Sequence, residues 1–213
     1  MDFLELERQG LAYVNGVASR ADLLEVARSI GRPVPSPSGD LVRELSPTTR
    51  EGSRRGTLSH AHATGPFPLH TDTAFWPRPS RYVVLRASGD TRRYTTVLAF
   101  REVFRGEDPS LVRLANESIW LVRTPSARFY CSMRFRAGDR GGWRYDGQCM
   151  SPANGAAVKL QELLPHIMSS KRAEYIRWTG HLAAVLCNWE VLHGRGAGPL
   201  DEGDRVLERV YVE

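Results

Sequence analysis

Lysine is almost absent. Of 29 lysine and arginine residues, only Lys159 and Lys171 are lysine. The arginines are scattered, as Arg43, Arg78, Arg113 and Arg177 illustrate, so the formal charge of +5 forms neither a stripe nor a basic block of the kind that tracks a phosphate backbone. Cysteine is sparse too: Cys131, Cys149 and Cys187 are odd in number and show no C-x-x-C spacing, which argues against a disulfide framework and suits a reducing cytoplasm. No stretch approaches the roughly eighteen consecutive apolar residues of a membrane span. The opening MDFLELERQG carries acidic side chains where a secretory signal needs an apolar run. A cytoplasmic protein without a membrane partner is therefore expected. The chain also lacks G-x-G-x-x-G and G-K-[ST] at any strand-to-helix junction, which removes the dinucleotide-fold and P-loop readings. It contains no low-complexity tract and no internal repeat.

What is present fits one domain over residues 1–213, with an N-terminal helix and a Pro-rich cover in 1–66 and a core in 67–213. The segment NGVASRADLLEVARSIGRPV predicts a helix. Ser19 is the N-cap with Asp22 in capping-box position, Leu23, Leu24, Ala27 and Ile30 form the apolar face, and Gly31 is the stop before Pro33. From Pro33 to Pro68 the chain is rich in Pro, Ser, Gly and Arg, with one strand-like piece at LVREL, and reads as an irregular cover. Beyond it come RYVVLRA, YTTVLAF, SIWLVR, ARFYCSMRF, HLAAVLCNW and RVLERVYVE, rich in β-branched and aromatic residues and separated by turn formers. One helical stretch carrying Val158, Leu160, Leu163 and Leu164 is expected to end before Pro165. The fold class is mainly β with flanking helices, an antiparallel sandwich or open barrel.

The chemistry concentrates in GPFPLHTDTAF. On an extended segment, residues i and i+2 share a face, so His70 and Asp72 can reach one ion. A third ligand is available in AAVLCNWEVLHGRG, where His193 follows an apolar run. Two histidines and one carboxylate form the facial set of non-haem Fe(II) oxygenases, which leaves adjacent coordination positions open. A 2-oxoglutarate bound there by its keto-acid end needs a fixed cation for its far carboxylate, and a guanidinium suits that task. Arg205 and Arg209, in DRVLERVYVE, are the candidates.

FPLHTDTAF, NWEVLHGR and RVLERVYV together resemble the Fe(II)/2-oxoglutarate-dependent dioxygenases of the taurine-dioxygenase (TauD/TfdA) and clavaminate-synthase-like group, and LLEVARSIGRPV is similar to that group's N-terminal helix. The resemblance implies a double-stranded β-helix (jelly-roll, cupin-like) core and a single oxygenase domain. It implies His70, Asp72 and His193 as iron ligands and Arg205 as the grip on the distal carboxylate of 2-oxoglutarate. Arg209 would assist there or meet substrate, and Thr96, or its neighbour Thr95, would bond 2-oxoglutarate. The cofactors implied are Fe(II), 2-oxoglutarate as cosubstrate, and O2. Halogenating relatives have a small residue at the carboxylate position; Asp72 here points instead to hydroxylation of a small amino-acid-like or natural-product substrate, with release of succinate and CO2.

Other residues carry weaker signals. His60 and His62 read as loop residues near the site mouth, His166 and His181 as helix-end or surface residues, and Arg195 as structural or gating. Trp76, Arg81 and Arg86, with FYCSMRFR and WRYDGQCM, supply side chains for a substrate pocket or for packing. Two other functions compete: a non-oxidative metal-binding isomerase or small-acid sensor of the same fold, and an oxygenase acting on nucleic acid, which the scattered arginines disfavour.

Overall fold

The computed structural model describes residues 3–46, 49, 51–52, 58–89, 91–197 and 206–213. The first part of the chain holds α1 (Phe3–Gln9), β1 (Leu11–Asn15), α2 (Arg20–Ile30), β2 (Pro33–Val34), β3 (Arg43–Leu45) and α3 (Leu58–His62). The middle holds β4 (Tyr82–Ala87), β5 (Thr95–Ala99), α4 (Phe100–Phe104), α5 (Pro109–Glu117), β6 (Ile119–Arg123), β7 (Arg128–Ser132), β8 (Arg134–Ala137), β9 (Arg140–Trp143) and β10 (Met150–Pro152). The last part holds α6 (Gly155–Ser170), β11 (Glu174–Ile176), β12 (Leu182–Cys187), β13 (Val191–Arg195) and β14 (Leu207–Val212).

The architecture is mainly β, built from antiparallel sheets. The large sheet runs β1-β12-β4-β14-β2, with β3 also on β14, and a second sheet runs β11-β5-β13. Their facing sides bury Val83 and Leu85 (β4), Val97 (β5), Ala184 and Leu186 (β12), Val191 (β13) and Tyr211 (β14) in one cluster. The alternate residues turn outward. Val84, Val185 and Val210 pack under Leu6 of α1 and Leu23 and Ala27 of α2, while Leu98 and Leu192 pack against Leu111, Leu160 and Leu164 of the α5–α6 layer. The period-2 alternation of each strand thus divides its side chains between an inner space and an outer helical layer.

Helix α2 starts as its sequence predicts: Asp22 N donates to Ser19 Oγ at 3.2 Å and Ser19 N donates to Asp22 Oδ2 at 2.9 Å, a reciprocal capping box. Its end differs from expectation. Gly31 has φ 164°, extended backbone rather than a left-handed stop. Glycine is needed there because a Cβ would collide with the Glu213 carbonyl, which is held by Arg32 N at 2.8 Å. Helix α6 also departs from expectation by continuing through Pro165 to Ser170. The loss of one backbone donor at Pro165 is offset by the burial of Ala157, Leu160 and Leu164. The run ARFYCSMRF is two strands, β7 and β8, divided at the fully buried Met133.

Glu208 shows why the outer face of β14 matters. It is 4% exposed, and its carboxylate accepts from Arg86 Nε at 2.9 Å and from Arg20 Nε at 2.5 Å. This ties the large sheet to the start of α2, where Arg86 Nη1 also donates to the Ala18 carbonyl. Arg86 therefore serves this outer brace and not a substrate pocket. Burial by itself would raise the Glu208 carboxyl, but the Arg20 and Arg86 guanidinium groups outweigh it and hold the pKa below the usual glutamate range. Glu208→Ala strands Arg86 without its counter-ion and is expected to cost about 3 kcal/mol in urea unfolding at neutral pH. Because the folded-state pKa is depressed, that contribution is present above the ordinary glutamate value of about 4.3 and disappears as pH falls through the lower folded value. The wild-type and variant stabilities should therefore converge in acid.

Candidate metal centre

His70, Asp72 and His193 meet in the inner space, and one ligand atom from each lies within 4.8 Å of the others. All three are buried, at 7%, 6% and 6% exposure. His70 Nε2 stands 3.6 Å from Asp72 Oδ1, and His193 Nε2 stands 3.5 Å from Asp72 Oδ2. Donors bound to one metal at about 2.1 Å lie roughly 3 Å apart when adjacent, so small side-chain adjustments suffice to close on an ion.

Backbone pairing creates this convergence. His70 and His193 form an isolated antiparallel bridge in which each N–H donates to the other's carbonyl at 2.9 Å. Both side chains then project to one side, with the ring centroids 4.8 Å apart. Gly194 makes the approach feasible: a Cβ there would lie 2.6 Å from the Phe67 carbonyl oxygen and 3.0 Å from that of Pro68. Asp72 is fixed by Asn188, whose Oδ1 accepts from Asp72 N at 3.0 Å while its Nδ2 donates to the carbonyls of Asp72 at 2.9 Å and Ser80 at 2.8 Å. Arg144, buried at 3%, fastens the following turn by donating to the carbonyls of Trp76 and Pro77. His70 Nδ1 lies 3.0 Å from the Pro68 carbonyl, a contact that places the ring proton on Nδ1 and leaves the Nε2 lone pair for a metal.

The electrostatics support a carboxylate ligand. Burial pushes the Asp72 carboxyl up, but Arg209, first, and then the two imidazoles hold it well below its usual range. Arg209 Nη1 donates to both Asp72 oxygens, at 3.0 and 2.9 Å, with the guanidinium over the Tyr211 ring at 4.5 Å. Burial lowers the His193 imidazole, and the opposing pull of Asp72 does not restore it; a neutral ring is the form that ligates.

The other candidate residues fall on either side of this frame. Arg205 lies outside the described residues. Thr96 pairs with Gly194 and Val97 with His193, so strand alternation puts Thr95 and Val97, not Thr96, on the His193 face. Thr95 Oγ1 accepts from Trp178 Nε1 at 3.0 Å. Trp76 meets the Tyr211 ring edge-on at 5.6 Å, forming part of the inner wall. Arg81 stacks over the Tyr82 and Trp189 rings. His60 and His62 lie on the short α3. Arg195 lies over the Phe67 ring at 3.8 Å and donates to the Ala63 and Gly65 carbonyls, so it secures the turn leading to His70. A cleft of about 770 Å³ at the rim of the second sheet is lined by Thr91, Arg92, Tyr94, Tyr175, Arg177, Trp178 and Thr179 rather than by the triad. Asn188 and Gly194 were the residues least visible as functional. A glycine inside a strand does signal close backbone approach, so Gly194 carried a usable cue.

No family model and no curated protein sequence matches the chain. Solved structures do. An asparagine oxygenase in complex with Fe(II), 2S,3S-3-hydroxyasparagine and succinate superposes with TM-score 0.74 at 20% identity, over 98% of this chain and 77% of that one. The non-heme iron oxygenase OrfP with Fe and alpha-ketoglutaric acid gives TM-score 0.74 at 17% identity, over 99% and 78%. The PvcB protein from Pseudomonas aeruginosa gives 0.70 at 19% identity, over 98% and 77%. At these identities the likeness establishes a shared fold.

Asn188→Asp turns an oxygen toward the Asp72 and Ser80 carbonyls, and Gly194→Ala drives the His70 strand from its partner. Each is expected to weaken Co(II) binding by about tenfold to a hundredfold, followed by the visible absorption of the bound ion. Unchanged affinity in both would show that neither contact positions the triad.

Proposed function

We propose that the protein is an Fe(II)- and 2-oxoglutarate-dependent dioxygenase that hydroxylates a C–H bond of a small amino-acid-like or natural-product molecule. The observation that carries this is the buried convergence of two imidazole Nε2 atoms on one ionised carboxylate, a donor set typical of non-haem Fe(II) sites. The pair of antiparallel sheets facing each other across the site supports a double-stranded β-helix core in a single domain. The structural neighbours, one holding Fe(II) and succinate and another Fe and alpha-ketoglutaric acid, favour the same chemistry.

In this proposal His70, Asp72 and His193 hold the metal. Bound iron and 2-oxoglutarate supply the oxidising power, coupled to release of succinate and CO2. The chain's own residues do the positioning. Asn188 fixes the Asp72 backbone from both sides. Arg209 keeps the Asp72 carboxylate ionised and presents a guanidinium beside the metal face, suited to an organic acid. Arg205 is the further candidate for the distal carboxylate, and Thr95 is better placed than Thr96 by strand phase. Trp76, Tyr211 and Trp178 wall the inner space and limit water access. Asp72, a ligating carboxylate, favours hydroxylation over halogenation.

Protein loaded anaerobically with Fe(II) and 2-oxoglutarate is expected to form succinate when O2 is admitted, with Asp72→Ala slowing turnover by about a thousandfold or more. Equal turnover by Asp72→Ala would remove this assignment. Metal binding without any oxygen consumption would favour the isomerase or sensor.

A further inference from the structure

The second sheet has a concave surface on the side turned away from the metal centre. Residues paired across neighbouring strands share a face, and successive residues alternate. Val97 pairs with His193, while Thr96 pairs with Gly194 and Tyr175, so Tyr175 lies on the face opposite His193. Tyr94, two residues before Thr96, joins it there, with the two rings edge-on at 4.9 Å. Together they border the cleft of about 770 Å³. Contacts of its own fix the frame of this cleft. Thr91 N donates to the Trp178 carbonyl at 3.3 Å, and Trp178, 2% exposed, donates from its indole Nε1 to Thr95 Oγ1 at 3.0 Å. Gly196 N donates to the Tyr94 carbonyl at 3.0 Å, and a Cβ on Gly196 would strike the Tyr94 ring, so glycine is what seats that ring.

The lining is chemically one-sided. Arg92 and Arg177 bring guanidinium groups, Thr91, Thr179, Tyr94 and Tyr175 bring hydroxyls, and no lining residue is acidic. Both arginines are exposed, and Arg177 makes no ion pair among the described residues. Other exposed arginines, Arg20 and Arg32, are paired with Glu44 and Glu213. Guanidinium groups and hydroxyls that converge without a carboxylate suit an oxyanion with several acceptor oxygens. A planar carboxylate needs only one guanidinium fork. A phosphate monoester, with three terminal oxygens and nearly two negative charges, can engage both arginines and the hydroxyls between them. The Tyr175 ring, 57% exposed, adds an aromatic face on which a flat ring can stack. We propose that this cleft is a binding site for the phosphate monoester of a small aromatic molecule. Arg92 and Arg177 hold the phosphate, and Tyr175 carries the ring. The site lies across the sheet from the triad and does not depend on the chemistry proposed there.

Calorimetric titration of the full chain without added metal, at fixed ionic strength, tests this with phenyl phosphate, inorganic phosphate, benzoate and phenol. Phenyl phosphate is expected to bind about tenfold more tightly than inorganic phosphate, because its ring adds stacking. It should also bind more tightly than benzoate, and phenol should give no measurable heat. Arg177→Gln should weaken both phosphates by about tenfold, as loss of a charge-assisted contact implies. Tyr175→Ala should bring phenyl phosphate down to the level of inorganic phosphate and leave inorganic phosphate unchanged, a separation that a general loss of structure does not produce. Phosphate binding that survives both substitutions would place the anion elsewhere and overturn the proposal. Benzoate or phenol binding as tightly as phenyl phosphate would overturn it too. So would a urea-unfolding midpoint lowered in both variants, because Arg177 and Tyr175 would then be serving the fold and not a ligand.

Discussion

The reciprocal backbone pair between His70 and His193 is the constraint on which the site rests. A metal ligand set drawn from distant parts of a chain needs more than suitable side chains. It needs the backbones carrying them fixed to a fraction of an ångström, and two hydrogen bonds of 2.9 Å between the ligand residues themselves do this directly. The bridge has its own requirements. Gly194 must lack a Cβ for the 67–70 segment to approach β13, Thr71 must engage Tyr145 on the other side, and Arg195 must hold the Gly65 carbonyl so that the approach to the bridge is set. Each of these contacts is local and modest in energy. Their common effect is to leave the two imidazoles one relative geometry.

Strand β14 shows how a two-residue period separates stability from chemistry. Glu208 faces outward into a three-cornered ionic brace with Arg86 and Arg20 that fastens α2 to the sheet. Arg209 faces inward and sets the charge state of Asp72. Neighbours in sequence thus have unrelated duties because the pleat sends them to opposite layers. The same rule distinguishes Thr95 from Thr96: only the phase of β5 against β13 decides which hydroxyl enters the inner space.

Much of the site was legible because its signal was local. The H-x-D pair declares itself by spacing, His193 by the apolar run before it, and α2 by a capping box that needs only four residues to recognise. The parts that were hidden depend on partners remote in sequence. Asn188 looks like an ordinary turn residue until its amide is seen to clamp Asp72 and Ser80. Gly31 suggests a left-handed stop, yet what demands glycine is the carbonyl of Glu213 at the far end of the chain. Pro165 would end an isolated helix, and only the burial of Leu160 and Leu164 against a distant layer keeps α6 running. Arg86 appears beside the metal motif in sequence and turns out to belong to the outer brace, since a strand gives no sign of which face is which until its neighbours are placed.

Charge balance links these features to the chemistry proposed. Asp72 is already matched by Arg209, so a divalent cation entering the triad brings positive charge that the protein has not countered. A dianionic keto acid is a suitable companion, because it neutralises the metal within a space where water cannot.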